Sequence, residues 1–298
     1  MEKTAGAHAR RLPNEPTGRF QGEYRSAQRG GYPLSAGSGR RTVNGVSLGN
    51  DPAREACFKI VWNDGEMAEF EDGMSAPARR EKLHRHMNNE IGSMEIAAQS
   101  LVDFPDAPWE LRMELARQTY DESRHVEGLY RRLKELGGRK GEFPIANFEW
   151  AVTSTRDTLA ARLAIENRTF EAGQMDLLGT LCKHWRAAGD ERTAEMLEAI
   201  LADEVNHVRF ANRWIKKLAK EDGRVLLKVA MAIRFLTEAS VAVYGNEPRQ
   251  AHSGKVRNHA RIDVNVADRR EAEFTDEEIN EMLRQYGMGS LAEAGAGP

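Results

Sequence analysis

The chain has 298 residues, of which 40% are hydrophobic and 30% charged, and its net charge at pH 7 is −3. This length allows one large domain or two small ones, and the near-neutral charge gives no reason to expect a nucleic-acid or membrane partner. The two cysteines, Cys57 and Cys182, are too few for a disulfide framework, a zinc ribbon or an iron–sulfur cluster.

The first part of the chain, residues 1–50, is rich in Gly, Arg, Pro and Ser and lacks periodic apolar positions. Such a segment cannot bury enough surface to offset its ordering entropy, which predicts a disordered tail. It contains no apolar signal segment, and no apolar run in the chain approaches the roughly 20 residues that span a bilayer. We therefore expect a cytoplasmic protein.

Residues 51–74 predict a small β-hairpin extension. Two apolar runs, 58–62 and 66–70, flank Asn63-Asp64-Gly65, and Gly supplies the positive φ that tight hairpin turns require.

The region 75–245 has helical apolar spacing, and we expect five helices there. The predicted helices cover 77–104 (A), 106–136 (B), 154–187 (C), 190–220 (D) and 223–244 (E). Ser75 or Ala76 caps helix A and Asp106 caps helix B, while an extended linker, 141–150, separates B from C. Short turns within A/B and C/D, with a longer crossover between them, predict an all-α four-helix bundle of two antiparallel hairpins, with helix E packed outside.

Residues 246–298 form a C-terminal extension in which the helical pattern lapses as far as 270. A short helix then opens with the capping box Thr275-Asp276-Glu277-Glu278.

Two copies of one short motif carry the chemistry. Helix B contains 121–125 (DESRH) and helix D contains 203–207 (DEVNH), and both strings read D-E-x-x-H. Because residues three apart share a helix face, the Glu and His of each string can bind the same ion. A carboxylate that bridges two metals beside a terminal imidazole suits iron or manganese. A third E-x-x-H, 81–84, lacks the preceding Asp, and about one such match is expected by chance.

The burial of these glutamates supports a metal site. Glu122 and Glu204 lie on the apolar stripes of their helices, where a carboxylate is costly unless it is paired or bound to metal. A buried network of Glu–His salt bridges without metal is the alternative.

Each hairpin must also supply one carboxylate from its first helix, and facing residues of an antiparallel pair lie about equally far from the turn. Glu90 and Glu122 are each 16 residues from Asp106, whereas Glu95 is only 11 residues away. A five-residue offset is about 7.5 Å along a helix, too far for a shared ion. We therefore choose Glu90 and keep Glu95 as the fallback.

The same comparison selects the carboxylate of the second hairpin. Glu171 lies 18 residues before Gly189 and Glu204 lies 15 after it, whereas Glu166 lies 23 before it and is the fallback. The predicted metal ligands are thus Glu90, Glu122, His125, Glu171, Glu204 and His207.

Asp121 and Asp203 each stand four residues before a ligand histidine. A carboxylate that accepts the second imidazole N–H fixes the tautomer, and we expect each Asp to serve the histidine of the opposite hairpin. Arg124 is expected to pair with one of these aspartates, although Asn206 replaces it in the second string. Two solvated helix aspartates are the alternative.

This ligand pattern resembles the ferritin-like di-iron carboxylate superfamily, which includes ferritins, rubrerythrins, soluble methane monooxygenase, the ribonucleotide reductase small subunit and a tRNA-modifying hydroxylase. The string 121–125 is similar to the oxygen-activating members. The segments 103–108, 143–144 and 171–176 resemble an uncharacterised bacterial ferritin-like family. The resemblance covers residues 80–220 and implies two bound Fe ions, with Mn or a mixed Fe/Mn pair as the alternative.

The resemblance implies two classes of function. The first is an oxidase or oxygenase that activates O₂ to hydroxylate or N-oxygenate a small-molecule or carrier-bound substrate, with no catalytic residues beyond the metal ligands. The second is iron handling, as a ferroxidase, and a non-catalytic metal-binding bundle is a third reading. The segments outside the bundle favour the first class, because storage needs little beyond the bundle.

The expected partners follow from what the chain lacks. Without a Gly-rich dinucleotide loop or a cysteine cluster, an oxygenase would need an external electron donor. A homodimer is left open.

Overall fold

The structure is a computed structural model that describes residues 40–62, 74–245, 264–285 and 288–291. The described residues are mostly helical, with two short two-stranded sheets, in agreement with the all-α class. The elements are β1 Arg40–Val43, β2 Val46–Gly49, β3 Ile60–Val61, α1 Ala76–Asp103, α2 Trp109–Glu135, β4 Ile145–Ala146, α3 Phe148–Thr153, α4 Leu159–Ile165, a π-helical turn Glu166–Glu171, α5 Ala172–Ala187, α6 Glu191–Glu221, α7 Arg224–Tyr244, α8 Val266–Glu271 and α9 Asp276–Gln285.

The first two long helices, α1 and α2, pack along one another. Ser75 caps α1 by accepting a hydrogen bond from the Ala78 N–H. The predicted cap of α2 is wrong: Pro108, not Asp106, occupies the position before the helix. Helical geometry is unfavourable for a residue that precedes a proline. Ala107 precedes Pro108, and the helix therefore begins after that proline rather than at Asp106.

The second pair of long helices is α5 and α6, and it meets the first pair through α2 and α6. Asp190 caps α6 as the acceptor of the Thr193 N–H, at 3.0 Å. Helices α6 and α7 confirm predicted helices D and E to within a few residues.

Predicted helix C is wrong over its first five residues, 154–158, and a π-helical turn interrupts the rest. Residues 148–153 already form α3, which begins inside the predicted extended linker, and a new helix, α4, begins only after Thr158. Thr158 caps α4 by accepting the Ala161 N–H, which fixes that start. The π-helical turn at Glu166–Glu171 then connects α4 to α5, and such turns are frequent at functional sites.

The predicted tail is wrong for its last residues, because 40–50 include an ordered hairpin. Strands β1 and β2 are antiparallel, and both residues of the turn, Asn44 and Gly45, have positive φ, as a type I′ turn requires. Leu48 is fully buried against α3 and α7. Residues 1–39 lie outside the described residues.

The hairpin predicted around Asn63-Asp64-Gly65 has its turn outside the described residues. Its first strand, Ile60–Val61, pairs in parallel with Ile145–Ala146. This pairing ties the segment before α1 to the connection after α2.

The C-terminal extension holds one predicted helix and one that the sequence did not indicate. Thr275 and Glu278 form the expected reciprocal capping box, with Thr275 N–H to Glu278 Oε2 at 2.9 Å and Glu278 N–H to Thr275 Oγ1 at 3.3 Å. The unexpected helix, α8, packs on α5 and α6. None of the helices in the described part of the chain is long and apolar enough to cross a membrane.

Among the described residues, two of the large apolar clusters lie at different heights along the long helices. One includes Phe104, Leu115 and Trp214, and the other includes Leu83, Leu129, Leu133, Trp185 and Leu197. Along α1, α2 and α6 the predicted ligands fall between these two sets. The polar centre is therefore enclosed by apolar layers above and below.

Candidate metal centre

The structure brings all six predicted ligands together in the interior. Two helices supply a Glu–His pair each, α2 with Glu122 and His125 and α6 with Glu204 and His207. Glu90 comes from α1, and Glu171 from the end of the π-helical turn. All six residues are buried, and none is more than 4% exposed.

The ligand atoms form two overlapping groups. The first contains Glu90, Glu122, His125 and Glu204, and the second contains Glu122, Glu171, Glu204 and His207. Within each group, one ligand atom from every residue lies within 4.8 Å of the others. Glu122 and Glu204 belong to both groups, so they occupy bridging positions between two adjacent cation positions.

The two histidines present the same ring nitrogen to the centre. His125 Nδ1 lies 3.0 Å from Glu90 Oε2 and 3.1 Å from Glu122 Oε2. His207 Nδ1 lies 3.2 Å from Glu122 Oε1. Both Nε2 atoms point outwards, so Nδ1 is the ligand atom available in each ring.

Each outward nitrogen meets an aspartate of the opposite hairpin. His125 Nε2 lies 3.2 Å from Asp203 Oδ2, and His207 Nε2 lies 3.4 Å from Asp121 Oδ2. Arg124 contacts both aspartates, with Nη2 3.0 Å from Asp203 Oδ2, whereas the sequence predicted a contact with only one. Burial of Asp121 is outweighed by hydrogen bonds from His207 and Arg124, which lower its pKa. An ionised Asp121 holds the Nε2–H tautomer and leaves Nδ1 free to bind metal.

Three buried atoms of the centre have no hydrogen-bond partner: Glu122 Oε1, Glu204 Oε2 and His207 Nδ1. Although His207 Nδ1 and Glu122 Oε1 are 3.2 Å apart, they lack hydrogen-bond geometry. Leaving such a group unsatisfied costs about 1–3 kcal/mol. A cation between these lone pairs would satisfy them, so the residues present fit two metal ions.

In the metal-free centre, burial and neighbouring charges shift the pKa values of the proposed ligands. Burial, together with the Glu204 and Glu90 carboxylates, raises the pKa of Glu122 to about 8. Burial of His125 is outweighed by hydrogen bonds to Glu122 and Glu90, which raise its pKa to about 11. Without metal, protons therefore compensate part of the carboxylate charge.

Four further polar residues contact the ligand carboxylates, and sequence reasoning missed all of them: His86, Gln118, Asn167 and Gln174. His86 and Gln174 contact Glu90, and Gln118 and Asn167 contact Glu171. Three of the four stand four residues before a ligand glutamate, a spacing that the sequence does contain.

The fallback glutamates have other surroundings. Glu95 accepts two hydrogen bonds from Arg54 Nη1, at 2.7 and 2.9 Å, and so faces the N-terminal segment. Glu166 is buried, and burial together with the neighbouring Glu149 and Glu171 carboxyls raises its pKa well above its ordinary value.

The third E-x-x-H string also lies apart from the centre. His84 Nε2 accepts the Gly141 N–H at 2.9 Å, and Glu81 accepts from Arg85.

Comparison with known proteins gives a family but no activity. A family model described as "Protein of unknown function (DUF455)" matches residues 20–280. An uncharacterised protein of Haemophilus influenzae is 29% identical over 113 residues, which cover 38% of this chain and 39% of that relative. The match thus spans well under half the length of the relative. No solved structure matches the chain significantly.

Proposed function

Because the chain belongs to the DUF455 family of proteins of unknown function, we propose a function from the chemistry of its buried centre. The protein is a ferritin-like di-iron oxidase or oxygenase that uses O₂ to oxidise an organic substrate. The observation that carries the proposal is the pair of ligand groups that share Glu122 and Glu204. Two such groups are what a carboxylate-bridged metal pair needs.

The arrangement of the long helices supports a ferritin-like bundle. Two helix pairs, α1 with α2 and α5 with α6, contact one another, and α4 and the π-helical turn extend α5. One glutamate comes from the first helix of each pair and a Glu-x-x-His string from the second. That distribution of donors is the one found in ferritin-like di-iron proteins.

The donor set favours iron or manganese over softer metals. Four carboxylates and two imidazoles are hard or borderline ligands, and the centre lacks a thiolate among its described residues. The four negative charges of the carboxylates balance two divalent cations. A bound iron pair would supply the electrons for O₂ reduction. Glu122 and Glu204 would hold both ions, Asp121 and Asp203 fix the imidazole tautomers, and the burial of the centre excludes bulk water.

Elements outside the bundle favour an oxygenase over a ferroxidase. Helix α8 covers the side of α5 and α6 behind Glu171 and His207, where Ala272 packs fully buried against Ala172 and Val208. A closed centre suits one substrate held in place, with electrons from an external donor, better than repeated passage of iron.

Metal analysis and O₂ chemistry test the proposal together. Protein purified without chelator should bind two Fe²⁺ per chain under anaerobic conditions and change its optical spectrum on exposure to O₂. Glu90→Ala should lose metal, whereas Glu95→Ala, on the same helix but bonded to Arg54, should keep both ions. One zinc per chain and no O₂-dependent change would overturn the di-iron proposal.

Iron oxidation by the same protein preparation, measured with and without an electron donor, separates the two classes of function. An oxygenase should oxidise its bound iron once and then require an added electron donor. Continued oxidation of excess Fe²⁺ without a donor would instead identify a ferroxidase.

A further inference from the structure

The two halves of the centre differ at equivalent positions of the two hairpins. His86 stands four residues before Glu90, and Asn167 stands four residues before Glu171. Each contacts the glutamate that follows it: His86 Nε2 lies 2.6 Å from Glu90 Oε1, and Asn167 Nδ2 lies 2.7 Å from Glu171 Oε2. The two equivalent residues therefore contact the following glutamate through different chemical groups, an imidazole in His86 and an amide in Asn167.

Glu171 receives one amide hydrogen bond on each oxygen. Gln118 Nε2 donates to Oε1 and Asn167 Nδ2 to Oε2, and Asn167 also donates to Gln118 Oε1 at 3.2 Å. All three residues are buried. A carboxylate has about two acceptor sites on each oxygen, so each oxygen of Glu171 keeps one site for a metal.

Apart from the proposed ligand His125, which contacts Oε2, Glu90 receives its hydrogen bonds on Oε1. Gln174 Nε2 donates to Oε1 at 2.6 Å. His86 Nε2 lies equally close to that oxygen and 2.9 Å from Gln174 Nε2, and it donates to Oε1 in the tautomer that carries the proton on Nε2. Both acceptor sites of Glu90 Oε1 are then taken by these two donors. Oε2 lies 3.0 Å from His125 Nδ1, inside the ligand group, and keeps its sites for metal.

We propose that the two metal positions are unequal, and that the position at Glu90 and His125 is the one with room for a small exogenous ligand. Glu171 can offer both oxygens to its metal, whereas Glu90 can offer only Oε2. The metal beside Glu90 therefore has one protein ligand atom fewer. This inference rests on the proposed di-metal centre, and it makes His86 and Gln174 positioning residues that keep a coordination place open.

The equivalent residues provide a matched pair of variants. His86→Phe removes a donor from Glu90 Oε1, so that this oxygen can turn to the metal and close the open place. Asn167→Leu removes a donor from Glu171, which can already offer both oxygens to its metal. His86→Gln restores an N–H donor at the same position.

The experiment uses the full chain loaded with Co²⁺, whose visible absorption reports coordination, and azide as the probe. The wild type should bind two Co²⁺ and one azide per chain. His86→Phe should keep both Co²⁺ but bind azide about tenfold more weakly. His86→Gln should recover near-wild-type azide affinity, and Asn167→Leu should weaken azide binding clearly less than His86→Phe does.

Each contrary result has a separate meaning. If the wild type fails to bind two Co²⁺, the di-metal centre itself is wrong. If it binds both, and Asn167→Leu weakens azide as much as His86→Phe does, the centre is symmetric and this inference is wrong. If His86→Gln behaves like His86→Phe, the effect is one of packing rather than of hydrogen bonding, which also contradicts the inference.

Discussion

Two residues of the centre, Glu122 and His125, have raised pKa values in the absence of metal. The pKa of Glu122 is raised to about 8 and that of His125 to about 11, for opposite electrostatic reasons. Burial and like charge disfavour the Glu122 carboxylate, whereas neighbouring carboxylates favour the His125 cation. A metal ion must displace both protons, because only a deprotonated side chain can be a ligand.

The first prediction is that pH acts in opposite directions on the metal-free and metal-bound protein. Both groups have folded pKa values above their ordinary values of 4.5 and 6.5. The stability that their protonation gives the metal-free protein is present at low pH and is lost as pH rises towards 8 and beyond. Metal affinity should rise over the same interval.

Calorimetric titration with Mn²⁺ between pH 6 and 9, in buffers of different ionisation enthalpy, measures both the affinity and the protons released. Melting temperatures of the metal-free protein over the same range provide the second readout. An affinity that stays constant across this range would contradict the assigned ligands.

At the level of single residues, spacing predicted which six side chains come together and which aspartates face the opposite histidines, because both depend on helix periodicity. His86, Gln118, Asn167 and Gln174 could not be identified in this way. A polar residue four positions from a glutamate is common on any helix, and only the packing of neighbouring helices decides whether it turns towards the centre.

Among the elements, the long helices follow from apolar periodicity, whereas the interruptions do not. The π-helical turn at Glu166–Glu171 has no local sequence signal, and contacts from Gln118 on α2 hold its last residue. The β1–β2 hairpin did have a signal, Asn44-Gly45 between two valines, but the biased composition of the preceding residues obscured it.

The second prediction concerns the hairpin. Removing residues 1–39 should leave the melting temperature nearly unchanged, because that stretch has no periodic apolar face. Removing 1–50 should lower it, since Leu48 is fully buried, and Asn44 Nδ2 donates to the Ala242 carbonyl at 2.7 Å. Loss of a buried leucine alone costs about 2–5 kcal/mol. Equal melting temperatures for the two truncated proteins, measured by circular dichroism, would show that the hairpin contributes nothing to stability.

Helix α8 is attached to α5 by a buried ion pair. Arg269 donates to both carboxylate oxygens of Asp176 and to the Ala172 carbonyl, next to the ligand Glu171. The side chains of Arg269 and Asp176 are only 4% and 6% exposed. No periodic pattern marks this short helix, because its stability comes from these tertiary contacts rather than from its own sequence.

The third prediction compares two adjacent arginines. Arg269→Met should destabilise the protein by roughly 3–5 kcal/mol, because it leaves a buried carboxylate without its cation. It should also weaken metal binding beside Glu171. Arg270→Met is the control, since Arg270 pairs with Asp276 on the surface. Urea unfolding and Co²⁺ titration of both variants measure the two effects, and similar losses in both would show that the buried pair has no special role.

At the scale of the whole molecule, the sequence predicted two helix pairs around a polar centre, and the structure has those pairs. The assignment to the ferritin-like bundle stays a prediction. The segments wrapped around the pairs were the least predictable part, because α3, β4 and α8 are short and depend on contacts with distant residues. The centre was the more predictable part, since its donors lie on the most regular helices.

The fourth prediction tests whether metal links these helices into one stable unit. A ligand that binds only the folded state stabilises it by about 2.7 kcal/mol at a concentration 100 times its dissociation constant. Fe²⁺ under anaerobic conditions should therefore raise the melting temperature of the wild type by several degrees, since 1 kcal/mol shifts a domain of this size by about 2–4 °C.

Two histidine variants separate metal binding from the loss of a buried side chain. His125→Ala deletes a proposed ligand and leaves Glu122 with fewer partners, whereas His84→Ala deletes a buried histidine that accepts the Gly141 N–H away from the centre. Both should melt below the wild type without metal, so the metal-free values alone cannot distinguish them. The rise in melting temperature on adding Fe²⁺ does distinguish them. His84→Ala should keep the wild-type rise, and His125→Ala should lose most of it. Equal gains in the two variants would show that His125 is not a ligand, and the metal assignment of the first D-E-x-x-H string would then be wrong.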